Sequence, residues 1–152
     1  MQTDNQNSRE GSQEPQRRNR DEPGRLQELR FVVQHHLLAD SHHWDLMFER
    51  GGVLATWRSP CPLSEISAAP VAIEQIGEHR LAYLTYEGPV SGDRGRVQID
   101  ERGEYLPLSR TAREWRLRVR GERTRAFFRL QKSSAGPADW LISKEATEDA
   151  RA

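Results

Sequence analysis

The sequence predicts an all-β protein: a single closed or nearly closed antiparallel barrel of about eight strands with little helix. Three observations carry this expectation. Apolar residues recur with a period of two, most clearly across His43–Glu49 and Trp115–Arg120. Turn signals rich in glycine separate these short runs at regular intervals. Helical periodicity is weak along the whole chain. Closure is expected because many short strands left open would expose unpaired edges.

The elements follow in order. Residues 1–24 contain no aliphatic or aromatic side chain apart from the initiator, a composition that cannot offset the entropy of ordering. They are expected to form a disordered polar tail. Phe31-Val32-Val33-Gln34 reads as a strand, and Leu37–Ser41 as a polar loop. Across His43–Glu49, Trp44, Leu46 and Phe48 face a core while His43, Asp45, Met47 and Glu49 share the opposite face. Gly51-Gly52 turns the chain into a strand over Val53–Trp57. The proline and serine content between Pro60 and Pro70 marks a loop. Further strands are predicted over Val71–Gln75, Leu81–Tyr86 and Gly95–Asp100, with a turn at Arg102-Gly103. Trp115–Arg120 and Ala126–Leu130 form a hairpin around Gly121–Thr124, and Trp140–Ile142 is the last strand. The expected division is therefore a tail over 1–24, one barrel domain over 25–145, and a polar C-terminal tail over 146–152.

Bulk composition bounds the function. A chain of 152 residues with 35% hydrophobic content and a mean hydropathy of −0.87 can bury one modest core. No apolar run reaches membrane-spanning length and no signal-peptide core is present, so a cytoplasmic protein is expected. The lone Cys61 makes no internal disulfide and suits a reducing compartment. Formal net charge is zero, yet all but two of the 23 basic residues are arginine, the exceptions being Lys132 and Lys144. Many of them crowd between Arg110 and Lys132. Such a run suits phosphate recognition, and it equally suits solvated strand faces.

The most informative stretch holds four of the five histidines, His35, His36, His42 and His43, followed by Asp45 and Glu49. Neutral imidazoles and a carboxylate converging from neighbouring strands make a divalent-metal site. His43 and Asp45 share a face, and His36 is preferred to His35 because it shares parity with Gln34. His42 falls on the core side with Trp44. An alternative constellation, His43-x-Asp45 with the distal His79, imitates the facial triad of non-haem iron oxygenases but leaves His36 without a role.

Set beside the rest of the chain, these motifs gain a context. Phe31-Val32-Val33-Gln34, a following histidine, His43-Trp44-Asp45 with Glu49, Gly52-Val53-Leu54 with Trp57, His79-Arg80-Leu81-Ala82-Tyr83, and Tyr86-Glu87-Gly88 together resemble the 3′-phosphoesterase domain of bacterial DNA ligase D. The likeness runs from about Arg30 to Lys144. It implies a β-barrel that uses manganese to trim 3′ ends of DNA or primer strands, removing a terminal ribonucleoside and then the 3′-phosphate in break repair. The metal ligands it implies are His36, His43 and Asp45, with His79 and Tyr83 as catalytic residues beside the scissile phosphate. DNA 3′ ends are the implied partner, along with ligase or polymerase repair proteins, and the implied location is cytoplasmic and nucleoid-associated. Three departures from the pattern stand out: the loop between His36 and His43 is one residue longer, Arg20-Asp21-Glu22 is only a compressed echo of the family's N-terminal arm, and Met47 stands where the family has a phosphate-clamping arginine, although a methionine can neither donate a hydrogen bond nor neutralise phosphate. Arg58, Arg80, Arg94 and Arg96 lie in or near the matching segments. The alternative expectation is a catalytically weakened relative that binds DNA ends or a repair partner.

Overall fold

The computed structural model describes residues 27–133, 136 and 138–146. The expected tails, 1–24 and 146–152, lie outside these apart from Ala146. Nine strands follow in order: β1 (Leu29–Leu37), β2 (His42–Arg50), β3 (Val53–Ser59), β4 (Val71–Arg80), β5 (Gly88–Pro89), β6 (Arg96–Arg110), β7 (Glu114–Gly121), β8 (Arg125–Lys132) and β9 (Asp139–Glu145). Eight of them close a ring in the order β1-β2-β3-β4-β9-β8-β7-β6 and back to β1, all antiparallel, with β5 as a two-residue addition on β6. The barrel closes because β6 is 15 residues long. Its first part pairs with β1 from Leu37↔Arg96 to Leu29↔Tyr105, and its second pairs with β7 from Gly103↔Gly121 to Arg110↔Trp115.

Two expectations are corrected here. Arg102-Gly103 is not a turn but the interior of β6, where Gly103 faces both Phe31 and Gly121. Its glycine serves close approach rather than reversal, since a Cβ there would lie 2.4 Å from the Arg120 carbonyl oxygen. Leu81–Tyr86 is not a strand. Leu81–Leu84 forms a 3-10 turn after β4. With three residues per turn, Leu81 and Leu84 fall on one side, and both pack against the barrel wall.

Alternation along each strand produces two apolar clusters. The interior one draws Phe31 and Val33 from β1, Leu46 and Phe48 from β2, and Ala55 and Trp57 from β3, with matching residues from the other strands. Trp57 lies at its centre, edge-on to Trp115 at 5.0 Å and to Trp140 at 5.3 Å. The second cluster lies on the outer face, where Val32, Met47 and Leu54 are covered by Leu84, with Leu81, Tyr83 and Ile99 packed around them. Each such large side chain removed from water stabilises the fold by roughly 1.5–3 kcal/mol. The covering turn thus fixes a floor beside the polar residues of the same outer face.

Candidate metal centre

The β1–β2 register sets His36 opposite His43 and Gln34 opposite Asp45. All four belong to the outer face, so two imidazoles and one carboxylate converge from adjacent strands. One potential ligand atom from each of His36, His43 and Asp45 lies within 4.8 Å of the others. Asp45 is 3% exposed; its Oδ1 is 3.2 Å from His43 Nε2 and its Oδ2 is 3.7 Å from His36 Nδ1. Neither His43 Nε2 nor Asp45 Oδ1 has a hydrogen-bond partner, although both atoms are buried.

The tautomer of His36 follows from its other nitrogen. Nε2 lies 2.6 Å from the backbone oxygen of Arg94. A carbonyl only accepts, so Nε2 carries the hydrogen, and in the neutral ring that a metal requires Nδ1 turns its lone pair toward Asp45. Two electron-rich atoms facing each other, with orphaned polar atoms beside them, fit a cation well. Imidazole nitrogen with carboxylate oxygen suits a transition metal, and three protein donors leave coordination positions for water or substrate. The Arg94 carbonyl arrives on the loop between β5 and β6, which is tied by Val90 N donating to Gly95 O at 2.8 Å. Gly95, at φ +77°, lies so close to β1 that a Cβ would be 2.0 Å from the Leu37 carbonyl oxygen.

A cleft of about 520 Å3 opens over these donors and is also lined by Arg58, His79, Arg80, Tyr83 and Arg94. His79 stands on β4 opposite Leu54. The Thr56 hydroxyl donates to the Leu54 carbonyl at 2.9 Å, so it accepts from His79 Nδ1 at 3.1 Å, a proton that the Gly77 carbonyl also attracts at 3.1 Å. Nδ1 therefore carries the hydrogen, and Nε2 is the nitrogen left for other chemistry. Tyr83 meets the His79 ring edge-on at 5.3 Å. The buried amide of Gln34 holds this wall in place by donating to the carbonyls of Tyr83 and Tyr86, each at 3.0 Å.

The structure thus brings together His36, His43 and Asp45 as the sequence anticipates, and puts His79 and Tyr83 on the same cleft outside the three-donor group. A facial triad using His79 in place of His36 does not match this grouping. His35 and His42 lie on the other face, with His35 Nε2 2.8 Å from His42 Nδ1 and the His35 ring stacked on Trp44 at 4.3 Å. Burial, aided by the neighbouring His42 imidazole, holds the His35 pKa below the usual imidazole range. Glu49 is engaged by Arg30 through Nε and NH2, both at 3.0 Å. Arg96 does not line the cleft. The arginine-rich strands β7 and β8 are matched by carboxylates: Arg116 by Glu145, Arg118 and Arg120 by Glu28, and Arg129 by Glu114. The anchoring role of Gln34, and the contributions of Thr56 and the Arg94 carbonyl, are not anticipated from the sequence. Parity with His36 and with Met47 puts the first two on the site's face, whereas nothing local signals the third.

Comparison with known proteins bears on this same segment. The family described as DNA Ligase D 3′-phosphoesterase domain matches residues 34–132. Two curated relatives are each 36% identical to the chain over 78 residues: the multifunctional non-homologous end joining protein LigD of Mycobacterium bovis and the multifunctional non-homologous end joining DNA repair protein LigD of Mycobacterium tuberculosis. Those alignments cover 49% of this chain and 10% of each relative, so the chain corresponds to a small part of either protein. The barrel, the outer-face histidines and the matched span agree, and the chain belongs to the DNA ligase D 3′-phosphoesterase domain family.

Proposed function

We propose that this chain is a metal-dependent 3′-end-processing phosphoesterase, with manganese as its ion, that removes 3′-phosphates and terminal ribonucleosides from DNA ends in break repair. The observation that carries this reading is the pair of buried atoms without a hydrogen bond, His43 Nε2 and Asp45 Oδ1, beside His36 Nδ1. These three side chains would hold the ion. When bound, it supplies Lewis acidity and a bound water of lowered pKa. His79, its Nδ1 proton anchored by Thr56 and Gly77, keeps Nε2 for a proton at the leaving or attacking oxygen. Tyr83 packs against that ring and fixes its plane. Ligase or polymerase repair proteins are the partners this role would require.

Purified protein with manganese should release phosphate from a duplex carrying a 3′-phosphate, and His43→Ala should abolish release. Absence of turnover across the divalent transition metals would remove the enzyme claim. A second reading has its own observation: Met47 is fully buried among Val32, Leu54 and Leu84, so no guanidinium reaches the cleft from that position. On that reading the chain binds DNA ends or a repair partner without turning them over. Turnover created by Met47→Arg in a protein otherwise inert would favour it.

A further inference from the structure

We propose that Arg58, reaching over from β3, is the guanidinium that grips the substrate phosphate next to the three donors. The proposal rests on the phosphoesterase reading. A phosphate held by a cation alone on one side needs a second positive partner to fix its orientation. Three arginines line the cleft. Arg94 is committed elsewhere, its Nε donating to the Ser91 carbonyl at 2.7 Å and its NH2 reaching the Ser91 hydroxyl at 3.4 Å. Arg80 stands at the end of β4 and also borders a separate hollow of about 270 Å3 with Ala82, Tyr86, Pro89 and Ser91. Arg58 is the cross-strand partner of Asp45, with Nε 3.9 Å from Asp45 Oδ1.

That contact is the only ion pair of Arg58 among the described residues, and its side chain is 45% exposed. Glu74 stands opposite it on β4 and Glu78 lines the cleft, yet Asp45 is the carboxylate it approaches. Once a cation occupies the donor set, Asp45 is engaged and Arg58 is left beside a like charge. A phosphate monoester bridging cation and guanidinium removes that repulsion, because the planar fork donates to two phosphate oxygens in parallel. The ligand class is thus a terminal phosphate on a nucleotide chain, oriented by the strand adjacent to the metal ligands.

The test titrates the 152-residue chain with manganese and then with inorganic phosphate, by calorimetry. Arg58→Ala should weaken phosphate binding by about tenfold to a hundredfold, as expected for losing a charged hydrogen-bonded contact. Its manganese affinity should be unchanged or tighter, since a competing cation has gone. Arg58→Lys should recover only part of the loss, because a point charge does not reproduce the fork. Arg80→Ala should cost less than about threefold, well below the same charged-contact range. Phosphate affinity of Arg58→Ala within twofold of wild type, or a larger loss in Arg80→Ala, would overturn the assignment. Wild-type protein that takes up manganese but no phosphate would also overturn it. Failure to bind manganese at all, read before phosphate is added, would instead sink the phosphoesterase reading and the assignment with it.

Discussion

Replacing Asp45 with asparagine should separate stability from metal binding. In the metal-free protein, Asp45 is a carboxylate buried to 3% exposure; Oδ1 and His43 Nε2, 3.2 Å apart, make no hydrogen bond, and the half-exposed Arg58 approaches Oδ1 only to 3.9 Å. A buried polar group without a partner costs about 1–3 kcal/mol. An asparagine amide in the same volume can donate to the His43 nitrogen or to His36 Nδ1, and it leaves no charge to bury. The metal-free Asp45→Asn protein should therefore be as stable as wild type or more so, by up to about 2 kcal/mol, of the order of 4–8 °C in Tm for a domain of this size. Manganese at a hundred times its dissociation constant should then raise wild-type stability by about 2.7 kcal/mol and leave the variant nearly unmoved. The two proteins should exchange rank as the metal is added. Thermal unfolding with chelator and across a manganese series checks this. A variant that loses stability without metal, or gains as much from manganese as wild type does, would refute the idea that these atoms face one another for want of a cation.

Two further outcomes follow from packing and titration. Burial pushes the Tyr105 hydroxyl up to about 12 from a usual value of 10. The folded state thus holds its proton longer than the unfolded chain, so a contribution on the order of 2–3 kcal/mol is fully present below pH 10 and lost as pH rises through about 12. Tyr105→Phe removes the bonds to the Glu49 carbonyl and from Arg110, and denaturant unfolding between pH 9 and 12 should show a flatter decline than wild type. Met47→Ala opens a cavity beneath the Leu81–Leu84 turn and should cost about 2–5 kcal/mol by urea unfolding. Its manganese midpoint should not shift, because Met47 belongs to the apolar cluster with Val32, Leu54 and Leu84 and is not one of the three donors.

The parts legible in the sequence were those governed by a period of two. Alternation across His43–Glu49 separated Trp44, Leu46 and Phe48 from His43, Asp45 and Met47, and the structure keeps that division, with the first group packed at the interior cluster. The same parity argument chose His36 over His35 and set His42 against Trp44. What escaped was long-range. Gly103 reads as a turn until the pairing of β6 with β7 shows that the β7 backbone at Arg120 and Gly121 needs the space of its missing Cβ. Leu81, Tyr83 and Leu84 read as a strand because β-favouring residues dominate the segment. Its hydrogen bonding is instead decided by Gln34, 49 residues earlier, whose amide captures two of its carbonyls. No local pattern could announce that a backbone oxygen at position 94 would select the tautomer of a histidine 58 residues before it.

That last contact gives an unusual role to a residue with no side chain. Gly95 lets its loop rest directly on the end of β1, with Leu37 O where a methyl group would otherwise lie, and so delivers the preceding carbonyl to the far side of the His36 ring. Any bulk at 95 would lift the loop outward and release the imidazole to relocate its hydrogen. The electron-donating strength of the His36 ring, a candidate ligand, would therefore be tuned from a neighbouring connection, and drift in that connection would change the chemistry while His36, His43 and Asp45 stayed the same.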